Sequence, residues 1–129
     1  MSWKPVTDLD ALPHLPPGQT LIDSHCHLDG PEFDADRQAV LLRAQSVGVG
    51  ALVTIGAGGA MESNRRAVAL AQAHPIIFAT VGIHPHDASM VTDETIDAVR
   101  SLARESKVVA IGETGLDYHY DHSPRRQQR

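Results

Sequence analysis

Apolar positions along the chain fall into two kinds of block that alternate. "TLIDSHCHL" from Thr20, "VGALVTIGA" from Val49, "PIIFATVGIH" from Pro75 and "KVVAIGETG" from Lys107 are short, poor in charge and rich in Val, Ile and Ala. Runs of this kind read as buried strands. Between them, "EFDADRQAVLLRAQSVG" sets Val40, Leu41, Ala44 and Val47 at helical spacing before Gly48, followed later by "MESNRRAVALAQAH" and by "TDETIDAVRSLARES" with Thr92 as N-cap. These predict amphipathic helices.

Strand starts near residues 21, 49, 76 and 108 recur at about the length of one strand-helix unit. Such alternation predicts the α/β class, with a parallel sheet covered by helices. The pattern alone fits a doubly wound sheet and a (β/α)8 TIM-type barrel equally, and four βα units would be half of such a barrel, whose usual length is about 250 residues. Residues 1–20 contain Pro5, Pro13, Pro16 and Pro17 and predict a surface extension, because proline removes backbone donors. Residues 21–129 then carry the domain. In "DHSPRRQQR", Ser123 as N-cap and Pro124 at the first helical position predict a fourth helix, cut short at Arg129.

Composition narrows the classes. The chain has 129 residues, 42% hydrophobic and 21% charged, which suits one globular domain. A formal net charge of −5 provides no global positive field, so any phosphate site must be local. The single cysteine, Cys26, excludes an internal disulfide framework and a Cys-x-x-Cys zinc knuckle, and suits a reducing compartment. With no apolar run near the roughly 18 residues of a membrane span, the expectation is a soluble, cytoplasmic chain without a membrane partner.

The chemistry sits at the ends of the strand-like runs. In a strand, residues i and i+2 share a face, so Asp23, His25 and His27 project together, with Cys26 on the other side as a small core residue. Two imidazoles so placed can hold one cation, or can be satisfied by hydrogen bonds within the fold. The third run ends in "GIHPHD" with His84 and His86, and the fourth in "GETGLDYHYDH" with Glu113, Asp117, Tyr118, His119 and His122. In barrels the active site forms where polar residues follow apolar strands at their C-terminal ends. Arg125, Arg126 and Arg129 read as a solvated face of the opening helix rather than a phosphate clamp.

"DSHCHLD", "VGIHPHD" and "AIGETGLDYH", in this order, resemble the N-terminal half of the TatD-type metal-dependent hydrolases, within the wider amidohydrolase-like barrels. The resemblance covers about residues 21–129. It implies a (β/α)8 barrel with divalent metal ions, two of them, as Zn, Mg or Mn, and deoxyribonuclease activity on DNA ends. Carried over by motif, His25 and His27 would bind one metal and Glu113 would bridge to a second as the catalytic carboxylate. His84, His86, Asp117, Tyr118 and His119 would be substrate contacts. Two further histidines and an aspartate of the family, from later strands, have no counterpart in these residues. The 129 residues alone are therefore expected to be inactive, with the rest of a barrel or a dimer mate as the implied partner.

Two other readings stay open. The same His-x-His opening serves amide, ester or lactone hydrolysis equally well. A half-barrel could also persist as an inactive binding or assembly module. The aromatic content of 4% leaves Tyr118 and Tyr120 as the candidates for stacking on bases.

Overall fold

The computed structural model describes residues 15–58 and 61–129. Most of the proline-rich extension, and Gly59 and Ala60 of "GAGGAM", lie outside these residues. Four strands alternate with three helices: β1 Leu21–Cys26, α1 Arg37–Ser46, β2 Val49–Gly56, α2 Glu62–Ala73, β3 Ile77–Val81, α3 Asp93–Leu102 and β4 Val108–Ile111. Short 3-10 segments at Pro31–Phe33 and Pro85–Met90 follow β1 and β3. The strand starts agree with the apolar pattern to within a residue.

Local chemistry accounts for the helix ends. Thr92 caps α3, its hydroxyl accepting from the Thr95 N–H while Thr95 Oγ1 accepts from the Thr92 N–H, so two orphan donors are satisfied reciprocally. Gly48, just beyond α1, takes φ +97°, a left-handed conformation that a Cβ disfavours.

The sheet is wholly parallel in the order β1-β2-β3-β4. Each crossover is helical and right-handed connection is the rule, so an order without reversal places every helix on one face. A doubly wound sheet needs a reversal of strand order at its switch point. The sheet shows none, and its architecture is half of a (β/α)8 barrel.

The core lies between β2, β3 and α2. Ala67, Val68 and Ala71 of α2 bury against Leu52, Ile77, Ala79 and Val81. Alanines on the helix let its backbone come close to the strands, and each fully buried Ile or Val contributes roughly 1.5–3 kcal/mol. Val99 and Leu102 bring α3 onto the same cluster.

Two expectations are corrected, the burial of the first and fourth runs and the capping role of Ser123. The first and fourth runs are not buried: Leu21, Ile22, Val109 and Ile111 are exposed, Ile22 at 66%. These strands are the two edges of the sheet, each with a neighbour on one side only. The expected fourth helix is a single turn, in which the Gln127 and Gln128 N–H groups donate to the Pro124 carbonyl. Ser123 does not cap it. Its buried side chain instead takes the Ser89 N–H (3.1 Å) and donates to the His86 carbonyl (2.5 Å), bonds to a loop far away in sequence that the motif could not register. No helix among the described residues is long and apolar enough to cross a membrane.

Candidate metal centre

The C-terminal ends of β1, β3 and β4 bring the chemistry together. His25 lies near the end of β1 and His27 just past it, their rings edge to face with centroids 5.2 Å apart. Glu113 follows β4 by two residues. One donor atom from each of His25, His27 and Glu113 lies within 4.8 Å of the others. His25 Nε2 is 3.8 Å from Glu113 Oε2, and His84 Nε2 is 3.7 Å from Glu113 Oε1. Two imidazoles and a carboxylate, open to solvent, are a donor set that suits zinc and related divalent ions. Asp23 stays outside the cluster. Its carboxylate accepts from the His25 N–H at 3.1 Å, within a stretch where β1 loses regular register with β2.

Each loop of the site is tied by a buried polar group. The Asp29 carboxylate accepts from Thr54 Oγ1 (2.9 Å) and Ser63 Oγ (2.7 Å). Arg37 donates to the carbonyls of Leu28 and Gly30, and Arg66 to that of Asp29, so the turn after His27 is held from α1 and α2. Asp34 accepts from both guanidiniums, Arg37 first and Arg66 second, which holds its carboxyl below the usual carboxylate range. The Asn64 amide pairs with both the N–H and the carbonyl of Gly82 at the end of β3. Thr80 Oγ1 donates to the Gly112 carbonyl at 2.8 Å, one residue before Glu113. Buried groups with their bonds complete fix geometry, since leaving any one unpaired is costly.

Sequence reasoning missed this scaffold. Asp29 could have been suspected from its place directly after the His-x-His pair, whereas Asn64, Ser63 and Thr80 carry no local signal.

The remaining candidates separate by environment. His86 Nε2 pairs with Asp117 Oδ2 at 3.0 Å. The other oxygen of Asp117 accepts from the His119 and Tyr120 N–H groups, and these bonds, His119's first, keep its carboxyl below the usual range. Tyr118 is occupied: Arg125 lies over its ring at 4.6 Å and Arg129 Nε donates to its hydroxyl at 2.9 Å. Arg125 is also paired with Asp121, so of the expected solvated arginines two are bound to their own loop. His119 is exposed, its ring 4.6 Å from that of Tyr120.

Cys26 points away from the ligands. Its thiol donates to the Val53 carbonyl at 3.4 Å and packs against the core. Burial first, then the nearby Asp23 charge, push its pKa up to about 11. Roughly one molecule in a thousand carries the thiolate at pH 8, so alkylation by iodoacetamide should proceed only after unfolding. A reaction of the folded chain at the rate of a free thiol would contradict this placement. Since the fold holds this proton more tightly than the unfolded chain does, the contribution is complete below about pH 8.5 and is lost as pH climbs toward 11.

Comparison with known proteins agrees with the fold. The family model described as TatD related DNase matches residues 22–129. An uncharacterized metal-dependent hydrolase, YabD, of Bacillus subtilis is 38% identical over 109 residues, covering 84% of this chain and 42% of the relative. The 3'-5' ssDNA/RNA exonuclease TatD of Enterobacter lignolyticus is 40% identical over 109 residues, again 84% of this chain and 41% of the relative. The crystal structure of YJJV, a TatD homologue from Escherichia coli, superposes with a TM-score of 0.71 at 36% identity, covering 83% of this chain and 42% of that one. The chain thus spans about two fifths of the length of the relatives it matches. With the motifs, the strand order and the family model in agreement, this chain belongs to the TatD-related DNase family.

Proposed function

We propose that the chain is the ligand-bearing N-terminal part of a divalent-metal-dependent hydrolase that cleaves phosphodiester bonds from the ends of DNA. The observation that carries this reading is the convergence of His25, His27 and Glu113 at one end of a parallel sheet. The names of the exonuclease relatives supply the substrate class.

A divalent cation at this site supplies Lewis acidity toward a phosphoryl oxygen and makes water a competent nucleophile near neutral pH. His25 and His27 provide neutral nitrogen donors, and Glu113 provides negative charge through two oxygens, one facing His25 and the other His84. With one oxygen toward each histidine, Glu113 would hold the ion beside His25 and His27 and could offer its other oxygen to a second. In this reading His84, whose Nδ1 accepts from the His86 N–H, would donate from Nε2 to an anionic substrate oxygen, while His86, its Nε2 paired with Asp117, and the loop of Asp117, Tyr118 and His119 would border the substrate path. In this reading the apolar side chains exposed on β1 and β4 are covered by further strands, from a longer barrel or a second copy. The 129 residues by themselves turn DNA over slowly.

The test incubates single-stranded DNA, labelled at either end, with the metal-loaded chain and with any longer form that continues past Arg129. Metal-dependent shortening from one end, stopped by a chelator and far faster in the longer form, is the expected result. Cleavage of simple esters or lactones with no action on DNA would transfer the assignment to carbonyl hydrolysis.

A further inference from the structure

We infer that the ribbon of rings His84, His86, His122 and Tyr120 is a stacking track for the unpaired bases of a single-stranded nucleic acid, with Tyr120 as its outer platform; the inference rests on the phosphodiester reading above. The rings follow one another without a gap. His84, which touches Glu113, has its centroid 4.3 Å from that of His86, and His86 is 4.4 Å from His122, both pairs edge to face at 74° and 75°; Tyr120 lies 5.8 Å from His122 with planes only 10° apart, so the outer pair offers parallel faces. Exposure rises along the ribbon, from half-buried histidines to Tyr120 at 66%. Core packing does not account for a tyrosine so open, nor for a histidine stacked beneath it on the surface.

The track is fixed in place before any ligand arrives. Ser123, next to His122, is bonded to the His86 carbonyl and the Ser89 N–H, and Asp117 joins His86 to the His119 and Tyr120 N–H groups. The loops after β3 and β4 therefore hold their rings in one register. Tyr118 is excluded from the role, because Arg125 and Arg129 already engage its ring. Aromatic faces beside a phosphodiester site are what binding of single strands requires, since every base has a π-face and stacking tolerates any sequence.

The test measures fluorescence anisotropy of a short phosphorothioate oligo(dA), and of an abasic strand of equal length and linkage, with the 129-residue chain in magnesium. The wild type should bind oligo(dA) more tightly than the abasic strand. Tyr120→Ala should weaken oligo(dA) binding roughly 5- to 150-fold and leave the abasic strand unaffected, His122→Ala should act in the same direction, and Tyr120→Phe should keep the preference. Equal affinity for the two strands in the wild type, or a preference that survives Tyr120→Ala, would overturn the ribbon and leave the phosphodiester reading standing. Failure of both strands to bind would also overturn the ribbon, while the phosphodiester reading is decided separately by cleavage of end-labelled DNA in the longer form.

Discussion

Glu113→Ala and His25→Ala should each lower the affinity of the chain for zinc or manganese by about 100-fold or more. Loss of an outer partner that merely orients a ligand typically costs 10–100-fold, and a direct donor contributes more. Glu113 should be the costlier loss, because its carboxylate is the one negative charge among the three donors and its second oxygen faces His84. Both His25 and Glu113 are open enough to solvent that neither change opens a cavity, so stability should move by less than about 0.5 kcal/mol. Competition with a chelator of known affinity measures the binding, and urea unfolding measures the stability. In any longer form that degrades DNA, the same variants should lose turnover while substrate affinity survives, since contacts to remoter nucleotides are untouched. Unchanged metal affinity in both variants would dissolve the centre.

Gly82→Ala should destabilise the fold by about 1–3 kcal/mol and weaken metal binding as well. A Cβ at position 82 would stand 2.8 Å from the Gly112 carbonyl carbon, 2.9 Å from its oxygen and 3.0 Å from the Glu113 carbonyl oxygen. All three are backbone atoms, so no side-chain rotation relieves the collision. The strand-end segment carrying Glu113 would have to retreat, against the Thr80 hydroxyl that holds Gly112 and the Asn64 amide that holds Gly82. With whole-domain stability of about 5–15 kcal/mol, such a loss is readily seen in the urea midpoint. Wild-type stability together with wild-type metal affinity would show that the Glu113 loop is not fixed as described.

Much of this molecule is written locally in its sequence. Strand and helix periods, the Thr92 cap and the Gly48 helix end each depend on residues a few positions apart, and local patterns express them directly. The motif residues His25, His27, His84 and Glu113 were visible for the related reason that they follow apolar runs, and parallel strands deliver their ends to one side. Three matters were decided only by tertiary structure. The exposure of Leu21, Ile22, Val109 and Ile111 depends on which strands are edges, and their composition is that of buried strands. Ser123 carries a helix-cap signature, yet its hydroxyl bonds to the carbonyl of His86, 37 residues away. The bonds that hold the site, from Thr54 and Ser63 to Asp29, from Asn64 to Gly82 and from Thr80 to Gly112, span 25, 34, 18 and 32 residues respectively. A polar residue shows its partner only when the chain has folded, because burial makes the bond obligatory and the fold alone determines which groups meet.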